Sequence, residues 1–130
     1  MITILNALNG DGRPTQPTER PDAVNDAHVD AAALEERLRA VVRGEVRFDD
    51  GTRAMYSTDA SNYRQIPVGV VVPRDAEDVE NAIAAARAFG APIVCRGGGT
   101  ALAGSTCNAA VVLDFSKYMN KILTIDVRNR

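Results

Sequence analysis

Histidine is nearly missing from this sequence, and tryptophan is missing altogether. The single histidine, His28, lies in an opening segment without periodicity. It leaves no Ser-His-Asp or Cys-His arrangement to build and reads as a solvated residue. The two cysteines, Cys95 and Cys107, have no histidine cluster to join, so no metal site is expected. With so few thiols, a reduced cytoplasmic compartment is the expectation. Only three phenylalanines occur in 130 residues, and alanine supplies twenty of the apolar positions. Material for a thick core is therefore scarce. Lysine is also rare, and the arginines are scattered. A net charge of −2 does not mark the chain for nucleic acid or an acidic membrane. No apolar run is long enough to span a bilayer. "MITILNAL" has no basic residue before it and no small-residue cleavage site after it, so it does not read as a signal peptide.

What is present is enough for one domain. Residues 1–28 carry Gly10, Gly12, Pro14, Pro17 and Pro21 and read as a flexible leader. A helix is expected next, capped by Asp30, with Leu34, Leu38, Val41 and Val42 as its apolar stripe, Glu35 and Arg39 as outer partners, and Gly44 at its stop. Asp50-Gly51 signals a turn, as in a short hairpin, and explains the adjacent carboxylates Asp49 and Asp50. Ser57 to Pro67 reads as a polar loop near Tyr56 and Tyr63. "VGVVVP" is a buried strand ended by Pro73. "RDAEDVENAIAAARAFG" is a helix capped by Asp75, burying Val79, Ala82, Ile83, Ala86 and Phe89 and ending at Gly90 before Pro92. "PIVC" is a second strand, with Cys95 as a small core residue at its end. Strand, helix and strand predict a right-handed βαβ unit with Val70–Val72 and Pro92–Cys95 adjacent and parallel. "AVVLDF" and "LTIDV" predict further strands, with a helical turn in "SKYMNKI". The fold class is α+β. A partial sheet with few large side chains suggests the front part of a longer polypeptide over residues 29–130, the alternative being a small complete domain.

The stretch "CRGGGTALAGST" stands between two strands and has the chemistry of an anion loop. Gly99 and Gly104 have the spacing of an ATPase P-loop, but Ser105 occupies the lysine position. Starting at Gly97, the dinucleotide fingerprint fails at Leu102, and a strand rather than a helix follows. What remains is a loop that binds anions with its own backbone. Consecutive small residues let amides converge, and Thr100, Ser105 and Thr106 add hydroxyl donors. Taken alone, a glycine-rich turn at a crowded sheet edge explains the stretch about as well.

The residues around the loop extend the reading. "VGVVVPRDAEDVENAIAAARAFGAPIVCRGGGTALAG", followed by "VVLDFSKYMNKIL", resembles the FAD-linked oxidases, the vanillyl-alcohol oxidase or PCMH-type flavoproteins. "YSTDASNYRQIP" is similar to the branch containing the D-lactate, glycolate and D-2-hydroxyglutarate dehydrogenases, one variant of which carries an appended iron–sulfur domain. The resemblance covers about Met55 to Asp126. It implies the N-terminal part of a PCMH-type FAD-binding domain and a non-covalent FAD with its pyrophosphate in the loop from Arg96 to Gly104. Gly97, Gly98, Gly99 and Thr100 would supply amides, Ala101, Leu102 and Gly104 would continue the wall, and Pro73 would lie near the cofactor. Thr100 stands where some relatives attach flavin through histidine. Ser105, where many carry glutamine, completes the candidate set.

The function implied is oxidation of a small D-2-hydroxy acid by hydride transfer to FAD, followed by an unspecified electron acceptor. The substrate's cationic clamp and base come from later parts of such proteins, so no catalytic residue is expected here. A non-catalytic nucleotide-binding or interaction module, or an inert fragment of such an enzyme, is the alternative. Cys107 is expected closer to the cofactor than Cys95, with no perturbed thiol to give it a redox role, and Asp59 with Tyr63 reads as loop solvation, the alternative being that the pair lines a site.

Overall fold

A computed structural model describes residues 29–129. The leader read over residues 1–28 lies outside the described residues. Helix α1 (Ala31–Val41) starts where the Asp30 carboxylate accepts from the Ala33 amide at 3.0 Å, which satisfies one of the donors every helix leaves free at its start. Leu34 and Leu38 are fully buried, and Arg39 reaches back to Glu35 across one turn at 2.7 Å. Gly44 does not end this helix. The helix stops at Val41 with Val42 already extended. Gly44 is instead a point of close approach, where a Cβ would sit 2.2 Å from the Val72 carbonyl oxygen.

Strand β1 (Glu45–Arg47) follows. The Asp50-Gly51 pair then opens a short helix, α2 (Asp50–Met55), rather than a hairpin turn. Asp49 caps it by accepting from the Thr52 amide at 2.8 Å, a role that outweighs the turn preference of Asp-Gly. Strand β2 (Gly69–Val72) is buried on both faces. Helix α3 (Ala76–Ala88) begins at Asp75, whose carboxylate accepts from the Asp78 amide at 3.1 Å. Its last turn is closed by the Ala91 amide reaching the Ala86 carbonyl. Ala82, Ala85 and Ala86 face inward, with Val79 and Phe89 half-buried. Ile83, expected in that stripe, is exposed, and Ala85 takes the inner position.

Strands β3 (Ile93–Arg96) and β4 (Val111–Asp114) complete a four-stranded sheet in the order β1-β2-β4-β3. Strand β1 is antiparallel to β2, and β2, β4 and β3 run parallel. The expected adjacency of the strands flanking α3 therefore fails. They are parallel, but β4 lies between them. Its Val-Val-Leu run suits the centre, where both faces are covered. Strand β3 is consequently at the edge, and Cys95 is exposed rather than in the core. The "LTIDV" segment forms no strand, and Ile122, Leu123, Ile125 and Val127 are exposed. A turn does occur near Ser116–Tyr118.

The sheet separates two clusters. On one side α1 and α3 pack over Val46, Val71, Val111 and Leu113. On the other, Val70, Val72 and Val112 meet only Tyr56, Val94 and Tyr118 as partly buried neighbours. Asp78 sits at the seam between the helices and the strands. It is fully buried and accepts from the amides of Arg43 and Arg74, each at 2.9 Å. Among the described residues, no helix is long and apolar enough to cross a membrane.

Candidate functional site

Parallel strands need a crossover to return the chain to its starting edge, usually a helix. Between β3 and β4 that return is made by residues 97–110, which contain neither helix nor strand. The glycine stretch is this crossover. It leaves the carboxyl end of β3, the end at which open α/β sheets bind ligands.

Two glycines shape the loop by necessity. Gly99 has φ of 66°, and a Cβ there would lie 2.6 Å from Arg96 Nη2. Gly104 has φ of 73°, and a Cβ would lie 2.7 Å from the Tyr63 ring. Both combine a left-handed backbone with a neighbour pressed against the missing side chain. Gly97 and Gly98 differ. Neither has a positive φ, nothing lies within 4 Å of a Cβ on Gly97, and one on Gly98 would meet only the Thr100 methyl at 3.5 Å. Their open side faces a cavity of about 290 Å³ lined by Met55, Tyr56, Arg96, Gly97, Gly98, Asp114 and Ser116.

Among the described residues, none of the backbone amides from Gly97 to Ser105 donates to a protein acceptor. A row of free N–H groups on an exposed loop is what a backbone anion site requires. Gly97, Gly98, Thr100, Leu102 and Ser105 are exposed, and Ala101 is half-buried. The loop thus fits an anionic group such as a pyrophosphate, with space beside Gly97 and Gly98 and no lysine needed. The other expected residues are placed less directly. Pro73 is buried just past the carboxyl end of β2, with β4 between it and β3. Arg96 lies beneath the loop, where its Nη1 donates to the Tyr56 carbonyl at 3.3 Å.

The segment before β2, read from sequence as a solvated loop, holds the crossover in place. The Ala60 amide donates to the Gly99 carbonyl at 2.9 Å. Asp59 accepts from the Ser61 amide at 2.9 Å and from the Thr106 hydroxyl at 2.8 Å. These donors, Ser61 foremost and then Thr106, hold its carboxyl well below the usual carboxylate range. Burial pushes the Cys107 thiol up, with the Asp59 charge adding to it, so Cys107 has no activated-thiolate character. Tyr56 donates to Asp114 at 2.5 Å. Burial, then this bond, pushes its phenol up to about 12. The sequence offered Asp59, with Tyr63, as a residue that could line a site, but nothing in the spacing of polar residues pointed to the bracing contacts of Tyr56, Asp59 or Asp114. Their contacts join positions 47 and 58 residues apart.

Comparison with known proteins agrees with this geometry. Residues 67–130 match the family described as FAD binding domain. The chain is 36% identical over 103 residues to the D-2-hydroxyglutarate dehydrogenase of Pseudomonas putida, covering 75% of this chain and 10% of that protein. It is 40% identical over 93 residues to the glycolate oxidase subunit GlcD of Bacillus subtilis, covering 68% of this chain and 20% of that protein. Among solved structures, alkyldihydroxyacetonephosphate synthase is similar in fold, with a TM-score of 0.62 at 22% identity, covering 73% of this chain and 20% of the other. p-Cresol methylhydroxylase has a TM-score of 0.54 at 21% identity, with the same two coverages. The fold is that of an FAD-binding domain, and the family match spans the loop. The chain belongs to the FAD-linked oxidase family, the vanillyl-alcohol oxidase or PCMH type, whose cofactor is FAD. It spans about a tenth to a fifth of the length of the curated relatives named.

Proposed function

We propose that residues 29–130 are the leading part of a PCMH-type FAD-binding domain, in an oxidoreductase that oxidises a D-2-hydroxy acid. The observation that carries this reading is the run of undonated amides from Gly97 to Ser105 beside the open face of Gly97 and Gly98. FAD bound there, without a covalent link, supplies the two-electron acceptor. The chain's own residues bind and orient. Gly97, Gly98, Gly99 and Thr100 offer amides to the pyrophosphate, while Ala101, Leu102, Gly104 and Ser105 extend the wall. Pro73 borders the same end of the sheet. The substrate class is supported by relatives described as D-2-hydroxyglutarate dehydrogenase and glycolate oxidase subunit. The carboxylate clamp and the base that such a substrate needs are assigned to no residue of this chain.

Titration of the chain with FAD, followed through backbone amide resonances, tests the binding. Saturable shifts concentrated at Gly97–Ser105 are expected, at low affinity because the loop encloses a ligand on one side only. Shifts elsewhere, or none, would remove the reading. The activity is tested on the whole FAD-loaded protein, mixed without oxygen with D-lactate, glycolate or D-2-hydroxyglutarate. Bleaching of the flavin absorbance by at least one of them, and not by the L-enantiomers of the chiral acids, is the expected result.

A further inference from the structure

The alternation of side chains along β3 and β4 sends Arg96 and Asp114, paired in register, toward the sheet face that carries Tyr56. Three contacts then meet at one point. The guanidinium carbon of Arg96 is 5.1 Å from the centroid of the Tyr56 ring, within reach of a cation–π attraction. Its Nη1 donates to the Tyr56 carbonyl at 3.3 Å. Its Nη2, Cζ and Nε all lie within 3.1 Å of where a Gly99 Cβ would be. The flat face of the guanidinium is therefore the floor on which the Gly99 backbone rests. Tyr56 is fixed in turn by Asp114, which is 6% exposed and also accepts from the Ser116 amide at 2.7 Å.

Arg96 is the cation next to the anion loop, and charge alone would make it a phosphate ligand. The geometry gives it another task. One nitrogen is committed to a protein carbonyl, and the plane is covered by Gly99 and Tyr56. Arg96 forms no salt bridge with a described residue. Asp114, its register partner, is turned to Tyr56 and Ser116 instead.

We infer that Arg96, Tyr56 and Asp114 form a prop beneath the loop, and that Arg96 is a positioning residue acting through the Gly99 backbone rather than a ligand of the phosphates. The inference rests on the FAD-binding reading for its consequence, because a propped loop presents its amides already converged and forfeits less order on binding. The prop itself exists without a ligand and can be examined without one.

The test uses the full chain as wild type, Arg96→Gln, Tyr56→Leu and the double variant. Without FAD, amide relaxation should show increased mobility confined to Gly97–Thr100 in all three variants, to a similar degree, with the helices unchanged. Loop mobility equal to wild type in either single variant overturns the prop, whatever FAD does. With FAD, each single variant should bind about tenfold more weakly, and the double variant no more weakly than either single one, the non-additivity of residues acting as a unit. Tyr56→Leu removes no charge, so a matching loss in Arg96→Gln shows that the prop and not a phosphate contact has been removed. A loss in Arg96→Gln far beyond that in Tyr56→Leu, or additive losses, makes Arg96 a direct ligand and overturns the inference. Should wild-type loop amides fail to respond to FAD at all, the FAD reading fails, while the relaxation measurement still decides the prop.

Discussion

Asp59 accepts two hydrogen bonds from Thr106 on one carboxylate oxygen, from the hydroxyl at 2.8 Å and from the amide at 3.4 Å. This ties the segment before β2 to the far end of the crossover. The Asp59 carboxyl is held below its ordinary value in the folded chain. Its contribution is thus complete above the unfolded value of 3.8 and declines as pH falls below it. Asp59→Ala should lower the melting temperature at neutral pH and expose the loop to limited proteolysis. The gap between wild type and variant should narrow in melts taken progressively below pH 3.8. A gap independent of pH would show that the carboxylate charge plays no part.

The glycines of the loop should divide into two kinds. Gly99→Ala forces a side chain into a left-handed backbone and against Arg96, and should cost about 1–3 kcal/mol of stability in urea titrations. Gly97→Val places its side chain in open space. It should keep wild-type stability while weakening the FAD response of the loop amides. Gly98→Val belongs with Gly97, because its φ is not positive. Equal stability loss at Gly97 and Gly99 would contradict the loop geometry.

Tyr56 provides a spectroscopic signature. Burial and the bond to Asp114 push its phenol up to about 12. Absorbance titration of the three tyrosines should show one ionising near that pH, and Tyr56→Phe should lack that step. A raised folded value means that the contribution is complete below the ordinary tyrosine range and is lost as pH rises toward 12. Wild type should lose its advantage over Tyr56→Phe in alkaline melts.

Asp78 should be among the most sensitive positions. Its burial alone would raise its pKa, yet the amides of Arg74 and Arg43, with the Arg43 charge, hold it below the ordinary range. Asp78→Ala leaves those amides without their acceptor at the junctions of α1 with β1 and β2 with α3. A loss of about 2–4 kcal/mol is expected in urea titrations. Arg43→Ala, which removes exposed pairs with Asp75 and Glu77 and a longer 3.7 Å pairing with Asp78 but leaves both amides on the Asp78 carboxylate, should cost far less.

Local patterns in the sequence were enough for α1, β2, α3, β3 and β4, because each carries its own caps and apolar period. Asp30, Asp75 and the Gly90-Ala-Pro92 boundary mark their ends without tertiary help. Strand order was not legible in the same way. Nothing local to Val111–Asp114 says that it slots between β2 and β3, and that insertion is what leaves Cys95 at an edge. Asp49 was misread because Asp-Gly favours a turn when considered alone, while an Asp followed by a free helical amide becomes a cap. At the site, the glycine loop was visible as composition. Its supports were not, since Asp59 and Tyr56 act on positions remote in sequence.

Because the crossover between β3 and β4 is itself the glycine loop, ligand and fold share one piece of chain. The central strand of the sheet can enter only after residues 97–110 have turned back. An anion that gathers the loop amides would thus shorten the search for strand pairing as well as stabilise its product. Refolding in the presence of FAD should be faster than without it, not merely end in a more stable state. Evolution at this loop is correspondingly constrained, since a change that suits a different ligand must still deliver β4 to its slot.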